Sequence, residues 1–437
     1  MTGEKYYVQN FGCRATQADG AAIESALRVR GLTPAGNRSA ADVVVVNTCT
    51  VTASAEEDAR QSIRRTHRDN PAAQILVTGC YAQRAPAELA ALPGVAWVVG
   101  NSHKLQLPDL VRIGPAAREA VPFHGQILVG DILAHNAFLS APVLDSGLNH
   151  TRPNLKIQEG CNNHCSFCVI PSVRGPSRSA PPERVLDEVR ALAARYREIV
   201  LTGINLGRWG CDLPGRPRLA GLLRRLLAET DVTRLRLSSV EPLDWTDELL
   251  EVVATSSRMA RHVHAPLQSG SDRILRRMYR RYRARHYADR LRRARRSIPA
   301  AAIGADVLVG FPGETDADFE ATLRLIEELP FTYLHVFTYS ARPGTPAADW
   351  GDQVPAALKK ERNHILRALA TKKGATFRQA LVGQRLTVLT LKESHETSTV
   401  ALSDNYVRVL VPGQVPANRL VEVEAAWVED DFLAGRL

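Results

Sequence analysis

Three of the chain's seven cysteines lie in one short loop, Glu159-Gly160-Cys161-Asn162-Asn163-His164-Cys165-Ser166-Phe167-Cys168. Thiolates at CxxxCxxC spacing can wrap one corner of a cubane iron–sulfur cluster and ligate three of its four irons, leaving the fourth open. A structural zinc fits less well, because zinc takes four closed ligands and usually draws them from two cysteine or histidine pairs. His164 stands between two of the cysteines, where a short loop makes simultaneous binding awkward. Three further cysteines, Cys13, Cys49 and Cys80, are dispersed at intervals of 36 and 31 residues. The seventh, Cys211, reads as a free thiol.

Each dispersed cysteine closes a strand-like run. Strands are expected over 6–11, 43–46 and 75–77, ending at Gly12-Cys13, Asn47-Thr48-Cys49 and Thr78-Gly79-Cys80. Helices are expected after each, over 19–30, 53–67 and 85–92. Continuous apolar strands alternating with helices read as a parallel α/β sheet covered on both faces. In such a sheet functional groups gather beyond the carboxyl ends of the strands, so the three thiols should converge. Free cysteine is often only a small core residue, but that does not explain one position repeated at three strand ends.

The CxxxCxxC loop follows a short strand over 155–158. Further strands are expected over 198–202, 234–239, 262–266, 305–309 and 333–339, with helices over 184–195, 219–229, 247–255, 274–296 and 315–328. This pattern predicts a partial TIM-type (β/α)6 barrel with its site at the C-terminal face of the strands. Short alternating strands over 386–392, 397–402, 407–411 and 420–427 predict a separate small β domain.

Of the 437 residues 45% are hydrophobic and 23% charged, as in an ordinary soluble protein of two or three domains. No run of eighteen apolar residues occurs and the N-terminus lacks a signal-peptide core, so a cytoplasmic location and no membrane partner are expected. The net charge is +10, and eleven arginines with one acid lie between Arg276 and Arg296. That segment is either a solvated helix face or a phosphate-contacting surface, since guanidinium forks match phosphate oxygens.

The CxxxCxxC loop resembles that of the radical SAM superfamily. There the open iron chelates S-adenosylmethionine (SAM), and an electron from the cluster leaves a 5′-deoxyadenosyl radical. Over essentially its full length the chain is similar to the methylthiotransferases of that superfamily. The likeness rests on the three cysteine triplets and on Gly160-Cys-Asn-Asn-His-Cys-Ser-Phe-Cys-Val-Ile-Pro171 with Arg174-Gly175 and Arg178-Ser179. It continues in Pro266-Leu-Gln-Ser-Gly-Ser-Asp272, Gly310-Phe-Pro-Gly-Glu-Thr315 and Tyr339-Ser-Ala-Arg-Pro-Gly-Thr-Pro346. Two positions depart from the family pattern: Thr16 stands where asparagine is usual, and Ala180 where arginine is common.

The resemblance implies two [4Fe-4S] clusters and two SAM molecules per turnover. One cluster, on Cys13, Cys49 and Cys80, would carry the sulfur that accepts a methyl group. The other, on Cys161, Cys165 and Cys168, would cleave SAM to the radical. All six cysteines are thus the expected metal-binding and catalytic residues, with Phe167, Gly203, Gln268, Ser269, Gly310 and Arg342 as candidate SAM contacts. It implies a methylthiotransferase domain over 1–115, a linker over 116–146, a radical SAM core over 147–372 and a TRAM-like β domain over 373–437. From Lys372 onward the chain carries eight basic and eight acidic residues, so the last segment reads either as an RNA binder or as a structural cap.

The implied substrate is adenosine 37 in the tRNA anticodon stem-loop. Arg342-Pro-Gly-Thr345 resembles the tRNA branches. Leu334-His-Val-Phe337 and Leu237-Ser-Ser-Val-Glu-Pro242 resemble the threonylcarbamoyladenosine branch. The isopentenyladenosine branch, the branch acting on an aspartate of a small-subunit ribosomal protein, and an iron–sulfur RNA-binding redox sensor are the alternatives. Implied partners are a flavodoxin- or ferredoxin-like electron donor and a sulfur donor.

Overall fold

The computed structural model describes residues 4–112, 124–135, 138 and 151–437. Of the expected linker, only residues 124–135 and 138 fall within them. The chain divides into two compact units, one formed from 1–147, 154–180 and 340–348, the other from 148–153, 181–339 and 349–437.

The first unit is built on β1 (Lys5–Asn10), α1 (Arg14–Val29), β2 (Thr33–Pro34), β3 (Val43–Thr48), α2 (Ala53–Asp69), β4 (Gln74–Gly79), α3 (Cys80–Arg84), α4 (Pro86–Ala90), β5 (Val95–Gly100) and β6 (Gln126–Leu128). The strands form a parallel sheet in the order β2-β1-β3-β4-β5-β6. Every residue of β3 and β4 is buried. Val44, Val46, Ile75 and Val77 pack into the core on one face; Val43, Val45 and Leu76 pack into the core on the other. This two-sided burial is why the strands read as unbroken apolar runs. α1 begins earlier than expected, at Arg14 with Cys13 as its N-cap, and a short helix that was not expected, α3, starts at Cys80 itself ahead of α4. The unit is completed by β7 (Asn154–Glu159), α5 (Ile170–Arg174) and β8 (Arg178–Ser179), with β7 and β8 antiparallel.

The second unit alternates α6 (Pro182–Ala193), β9 (Glu198–Gly203), α7 (Leu219–Glu229), β10 (Arg234–Leu237), α8 (Asp247–Thr255), β11 (His262–His264), α9 (Asp272–Arg277), α10 (Ala284–Ser297), β12 (Ala302–Val309), α11 (Asp316–Glu328) and β13 (Tyr333–Thr338). β9 pairs with β10, and β11, β12 and β13 pair in turn, all parallel. Val240 N donates to His264 O at 3.0 Å, tying the end of β10 to β11. The single helix expected over 274–296 is corrected to two. Tyr279 adopts φ +59° and ends the helical path, and Arg280 turns inward with 9% exposure. A 24-residue helix, α12 (Ala356–Gln379), leads to β14 (Arg385–His395), β15 (Ser398–Ser403), β16 (Arg408–Pro412), β17 (Leu420–Glu429) and β18 (Phe432–Arg436). These five strands close into a barrel in the order β14-β15-β16-β18-β17. Closure leaves no free edge. The architecture is α/β, with an N-terminal parallel sheet, a radical SAM-type α/β repeat and a small C-terminal β barrel.

One buried charge cluster ties this barrel to β9 and β10. The Glu198 carboxylate accepts from Arg236 Nε at 2.7 Å and Arg152 Nη1 at 2.8 Å, while Arg236 also donates to Asp404 O and Ser403 O, each at 3.0 Å. Burial pushes the Glu198 carboxyl up, but Arg236, Arg152 and Arg234 outweigh it and hold it well below the usual carboxylate range. A carboxyl depressed in the folded state stabilises the fold above its unfolded pKa of about 4.3 and loses that contribution as pH falls further. Glu198→Gln strands buried guanidiniums and should cost about 3–5 kcal/mol at neutral pH. The gap in melting temperature between native and variant protein should narrow below about pH 4.3, as followed by circular dichroism.

Candidate iron–sulfur and SAM site

β1, β3 and β4 run side by side in register, with Asn10 opposite Asn47 and Thr48 opposite Gly79. Cys13, Cys49 and Cys80 therefore all lie just beyond the carboxyl ends of adjacent strands. The approach is close. Gly12 has φ +106°, and a Cβ there would meet Cys49 Cβ at 2.8 Å and its Sγ at 2.9 Å, so only glycine fits. The Cys49 thiol is pushed up to about 12, first by burial and then by the neighbouring Cys80 and Cys13 sulfurs. Such a thiol gives up its proton to a metal rather than to water. Each sulfur already has a polar neighbour: Val51 N at 3.5 Å from Cys49 Sγ, Thr16 Oγ1 at 3.6 Å from Cys13 Sγ, and Arg174 Nε at 3.2 Å from Cys80 Sγ.

Arg174 is fully buried and belongs to a network that the sequence reading did not single out as such. Its Nη1 bonds Asp19 Oδ2 at 3.1 Å and Glu159 Oε1 at 2.7 Å. Lys104 Nζ reaches Glu159 Oε1 at 2.8 Å and Asp19 Oδ2 at 3.2 Å; Lys156 Nζ reaches Glu159 Oε2 at 2.8 Å and also pairs with Asp19. Three buried cations thus face two buried carboxylates, and the guanidinium left in excess points its Nε at Cys80. Burial pushes both carboxyls up, yet the three cations hold Asp19 and Glu159 below their ordinary ranges. Burial drives Lys104 down against those same carboxylates. Burial also lowers Arg174, but Cys80, Asp19, Glu159 and Cys13 more than reverse it. A net positive charge donating to sulfur suits a thiolate-ligated, anionic cluster.

The CxxxCxxC loop is pinned at its root. Gly160 has φ +70°, and a Cβ there would lie 2.6 Å from Gly175 O. Cys161 N donates to Gly175 O at 3.1 Å, and the Gln158 amide spans Glu159 O, Gly160 O and Ser177 Oγ. Within the loop, Asn163 N donates to Cys161 Sγ at 3.3 Å and Cys168 N to Cys165 O at 3.0 Å. The three thiols are partly buried, as is Phe167, and His164 is exposed. Directly after Cys168, Val169 and Val173 pack on Cys80. Helix α5 therefore stands between the two triads, and all six cysteines belong to one compact unit. Three partly buried thiols in one loop, and three thiols gathered beyond adjacent strand ends with a polar group at each sulfur, each fit a cubane cluster.

The candidate SAM contacts divide between the units. In the first unit Arg342 is buried, with Nη1 at 3.1 Å from Glu56 Oε2 and 3.4 Å from Thr50 O. It anchors its segment beside the residue following Cys49. In the second unit Gly203 ends β9 and Gly310 follows β12, where its N–H donates to Glu314 Oε1 at 2.9 Å. Gln268 takes φ +62° and its backbone N–H donates to Asp306 O at 2.9 Å. Ser269 is buried, with Oγ 3.3 Å from Thr322 Oγ1, and so fastens the loop to α11. The sequence reading missed one constellation here: His264, Asp306 and His335, on adjacent strands, bring ligand-type atoms within 4.8 Å of one another.

The arginine-rich segment is also revised. Arg290 and Arg293 pair with Asp247, Arg277 with Asp352, and Arg280 with Glu241. Arg276, Arg281 and Arg296 are exposed and carry no acidic partner among the described residues.

The geometry at Gly12 gives a direct test. Gly12→Ala should lower the iron retained after anaerobic reconstitution by displacing Cys49. Gly36→Ala, where an added Cβ meets nothing within 4 Å, should leave it unchanged.

Residues 5–100 match the family model described as uncharacterized protein family UPF0004, and residues 155–326 match that of the radical SAM superfamily. The chain is 40% identical over 410 residues to the threonylcarbamoyladenosine tRNA methylthiotransferase MtaB of Bacillus subtilis (strain 168), covering 92% of this chain and 89% of that one. It is 36% identical over 422 residues to the protein of that name from Aquifex aeolicus (strain VF5), covering 96% and 99%. A tRNA-2-methylthio-N(6)-dimethylallyladenosine synthase of Novosphingobium aromaticivorans is 35% identical over 440 residues, covering 99% and 97%. Among solved structures, the radical SAM methyltransferase TsrM of Kitasatospora setae shares the fold at TM-score 0.56 and 18% identity, covering 79% and 75%. Likeness over nearly the whole of both lengths to named methylthiotransferases, with both domain models matched in order, means that the chain belongs to the radical SAM methylthiotransferase family.

Proposed function

We propose that the chain adds a methylthio group to C2 of N6-threonylcarbamoyladenosine at tRNA position 37, using two [4Fe-4S] clusters. The observation that carries the reading is the pair of cysteine triads flanking α5 in one compact unit, in a chain alike end to end to threonylcarbamoyladenosine tRNA methylthiotransferases. Cys161, Cys165 and Cys168 hold one cluster and Cys13, Cys49 and Cys80 the other. When bound, the clusters supply an electron to SAM and a sulfur for transfer. Arg174 stabilises the thiolate form of Cys80 through its buried charge. Phe167 packs beside the SAM adenine. Gly203, Gln268, Ser269 and Gly310 shape the SAM pocket, and Arg342 holds its segment in place through Glu56.

The segments 1–115, 147–372 and 373–437 divide the work into sulfur donation, radical generation and anticodon stem-loop binding, with 116–146 as connector. Arg276, Arg281 and Arg296 offer unpaired charge for RNA phosphates. A flavodoxin- or ferredoxin-like protein supplies electrons, and a separate donor restores the sulfur. Action on tRNA places the enzyme in the cytoplasm. No described helix is long and apolar enough to cross a membrane.

Mass spectrometry of tRNA nucleosides from cells lacking and re-expressing the chain tests the substrate. Loss and return of 2-methylthio-threonylcarbamoyladenosine is expected; a change in the isopentenyl analogue instead would move the assignment to the other tRNA branch. Anaerobically reconstituted protein should hold about eight irons. Cys165→Ala should abolish 5′-deoxyadenosine formation, and Cys49→Ala should abolish methylthio transfer while SAM cleavage persists. Equal loss of both activities in Cys49→Ala would count against separate roles. The double variant Arg276→Glu/Arg281→Glu should weaken tRNA binding and lower the slope of log K against log salt.

A further inference from the structure

Strand periodicity and register place His262, His264, Gly304, Asp306, Tyr333 and His335 on one face of β11, β12 and β13. Gly304 lies opposite both His264 and Tyr333, and Asp306 opposite His335. The other face, with Val263, Ala305, Val307 and Val336, is apolar and buried. Two histidines on the polar face are in opposite bonding states. His262 is satisfied: its Nε2 is 2.7 Å from Tyr333 Oη and its Nδ1 is 3.3 Å from Leu237 O. Tyr333 lies across Gly304, where any Cβ would collide with its ring. His262, Tyr333 and Tyr406 stack into a closed floor, with centroids 4.6–5.9 Å apart.

His264, two residues along the strand, is 7% exposed; among the described residues its Nδ1 has no hydrogen-bond partner and its Nε2 meets only Asp306. Its Nε2 stands 3.5 Å from Asp306 Oδ1, longer than an ordinary hydrogen bond. A buried polar group left so costs about 1–3 kcal/mol. Such groups are retained where something else completes their bonding. The opening is on the His335 side, where the imidazole is exposed and its ring is 5.7 Å from that of His264. Among the described residues nothing beyond Asp306 completes His264.

We propose that His264, Asp306 and His335 read the polar N6 substituent of the substrate adenosine. This rests on the threonylcarbamoyl reading above. The substituent carries a carboxylate, a hydroxyl and ureido N–H groups. The two imidazoles take the carboxylate and hydroxyl, and Asp306 accepts from the ureido N–H groups. Burial raises the Asp306 carboxyl, but the charge and hydrogen bond of His264, with His335 and Arg280, outweigh this and hold it below the ordinary carboxylate range, which favours the form whose two oxygens both accept. An isopentenyl group offers no partner to any of the three. A site built to hydrogen-bond a substrate rejects the analogue that lacks those groups, because its own polar groups are then left unpaired.

The test compares reconstituted enzyme on anticodon stem-loops bearing threonylcarbamoyladenosine, its threonine methyl ester, or isopentenyladenosine. The native enzyme should lose about tenfold or more in kcat/KM on the ester. His335→Phe should lower kcat/KM on the free acid, chiefly through KM, and should no longer distinguish acid from ester. His335→Asn, at an exposed position, gives a second variant, and iron content and melting temperature monitor folding for both. Equal acid-to-ester ratios in native and variant enzymes would overturn the proposal. So would one equivalent of a non-iron divalent metal that is lost in His264→Asn, since the same atoms would then be metal ligands. A native enzyme that prefers the isopentenyl stem-loop would instead overturn the substrate reading, so the two failures are separable.

Discussion

Arg174 sits buried between two carboxylates and a cysteine sulfur, and the first unit is organised around that placement. Asp19 comes from α1, Lys156 and Glu159 from β7, Lys104 from the turn after β5, and Arg174 from the end of α5. No subset of these is stable alone, because a buried ion without its partners carries a desolvation penalty of several kcal/mol. Apolar residues of equal volume would commonly be as stable or more so, so stability does not explain the network. Charge at the sulfur does. Three cations against two anions leave one positive charge, and its donor is aimed at Cys80. The same residues link the strand that carries the CxxxCxxC loop to the helix that starts at Cys13, so both triads share one electrostatic support.

Much of this was legible because the cysteines stand at element boundaries. The runs Val43–Val46 and Ile75–Val77 before Cys49 and Cys80 are apolar without interruption, as buried parallel strands must be, while the run before Cys13 carries Gln9 and Asn10. The supporting ions were not legible. Lys156 lies within the strand expected over 155–158 and Glu159 just beyond it, and their partners at positions 19, 104 and 174 are distant in sequence. Pairing of that kind leaves no periodicity. Strand β5, Val-Ala-Trp-Val-Val-Gly, is apolar but carries no cysteine at its end to mark it, and β18 lies beyond the last strand expected. Helix α12 buries few residues, among them Arg362, Leu366 and Gly374, so its apolar stripe is too thin to read. The segment 274–296 looked like one helix because composition does not show that Tyr279 takes a left-handed conformation and that Arg280 turns in toward Glu241.

That last difference also changes the meaning of the chain's positive charge. Eleven arginines in a short segment suggest a polyanion-binding face. Yet five of the eleven guanidiniums are paired within the fold: Arg277 with Asp352, Arg280 with Glu241, Arg290 and Arg293 with Asp247, and Arg292 with Glu328. An ion pair already made contributes little field at a distance, and salt screens what remains. The charge available to RNA is therefore smaller than the count implies and rests on the arginines without an acidic partner among the described residues, of which Arg276, Arg281, Arg285 and Arg296 are exposed.

Buried polar groups in the second unit fall into two kinds. Glu198 and His262 have their bonds completed by neighbouring side chains and backbone, and they hold strands and barrel together. His264 lies on the same sheet, close to a second imidazole, with its Nε2 at 3.5 Å from Asp306 and its Nδ1 without a partner among the described residues. A fold that satisfies one histidine through Tyr333 and Leu237 O, yet leaves the histidine two residues later open, is not short of partners. It has kept that position clear, and the exposed imidazole of His335 marks the side from which a ligand can enter. Specificity can then follow from the cost of leaving His264 and Asp306 unpaired rather than from added attraction. An apolar substituent of similar size would be refused on the same energetic ground that makes the unfilled site unfavourable.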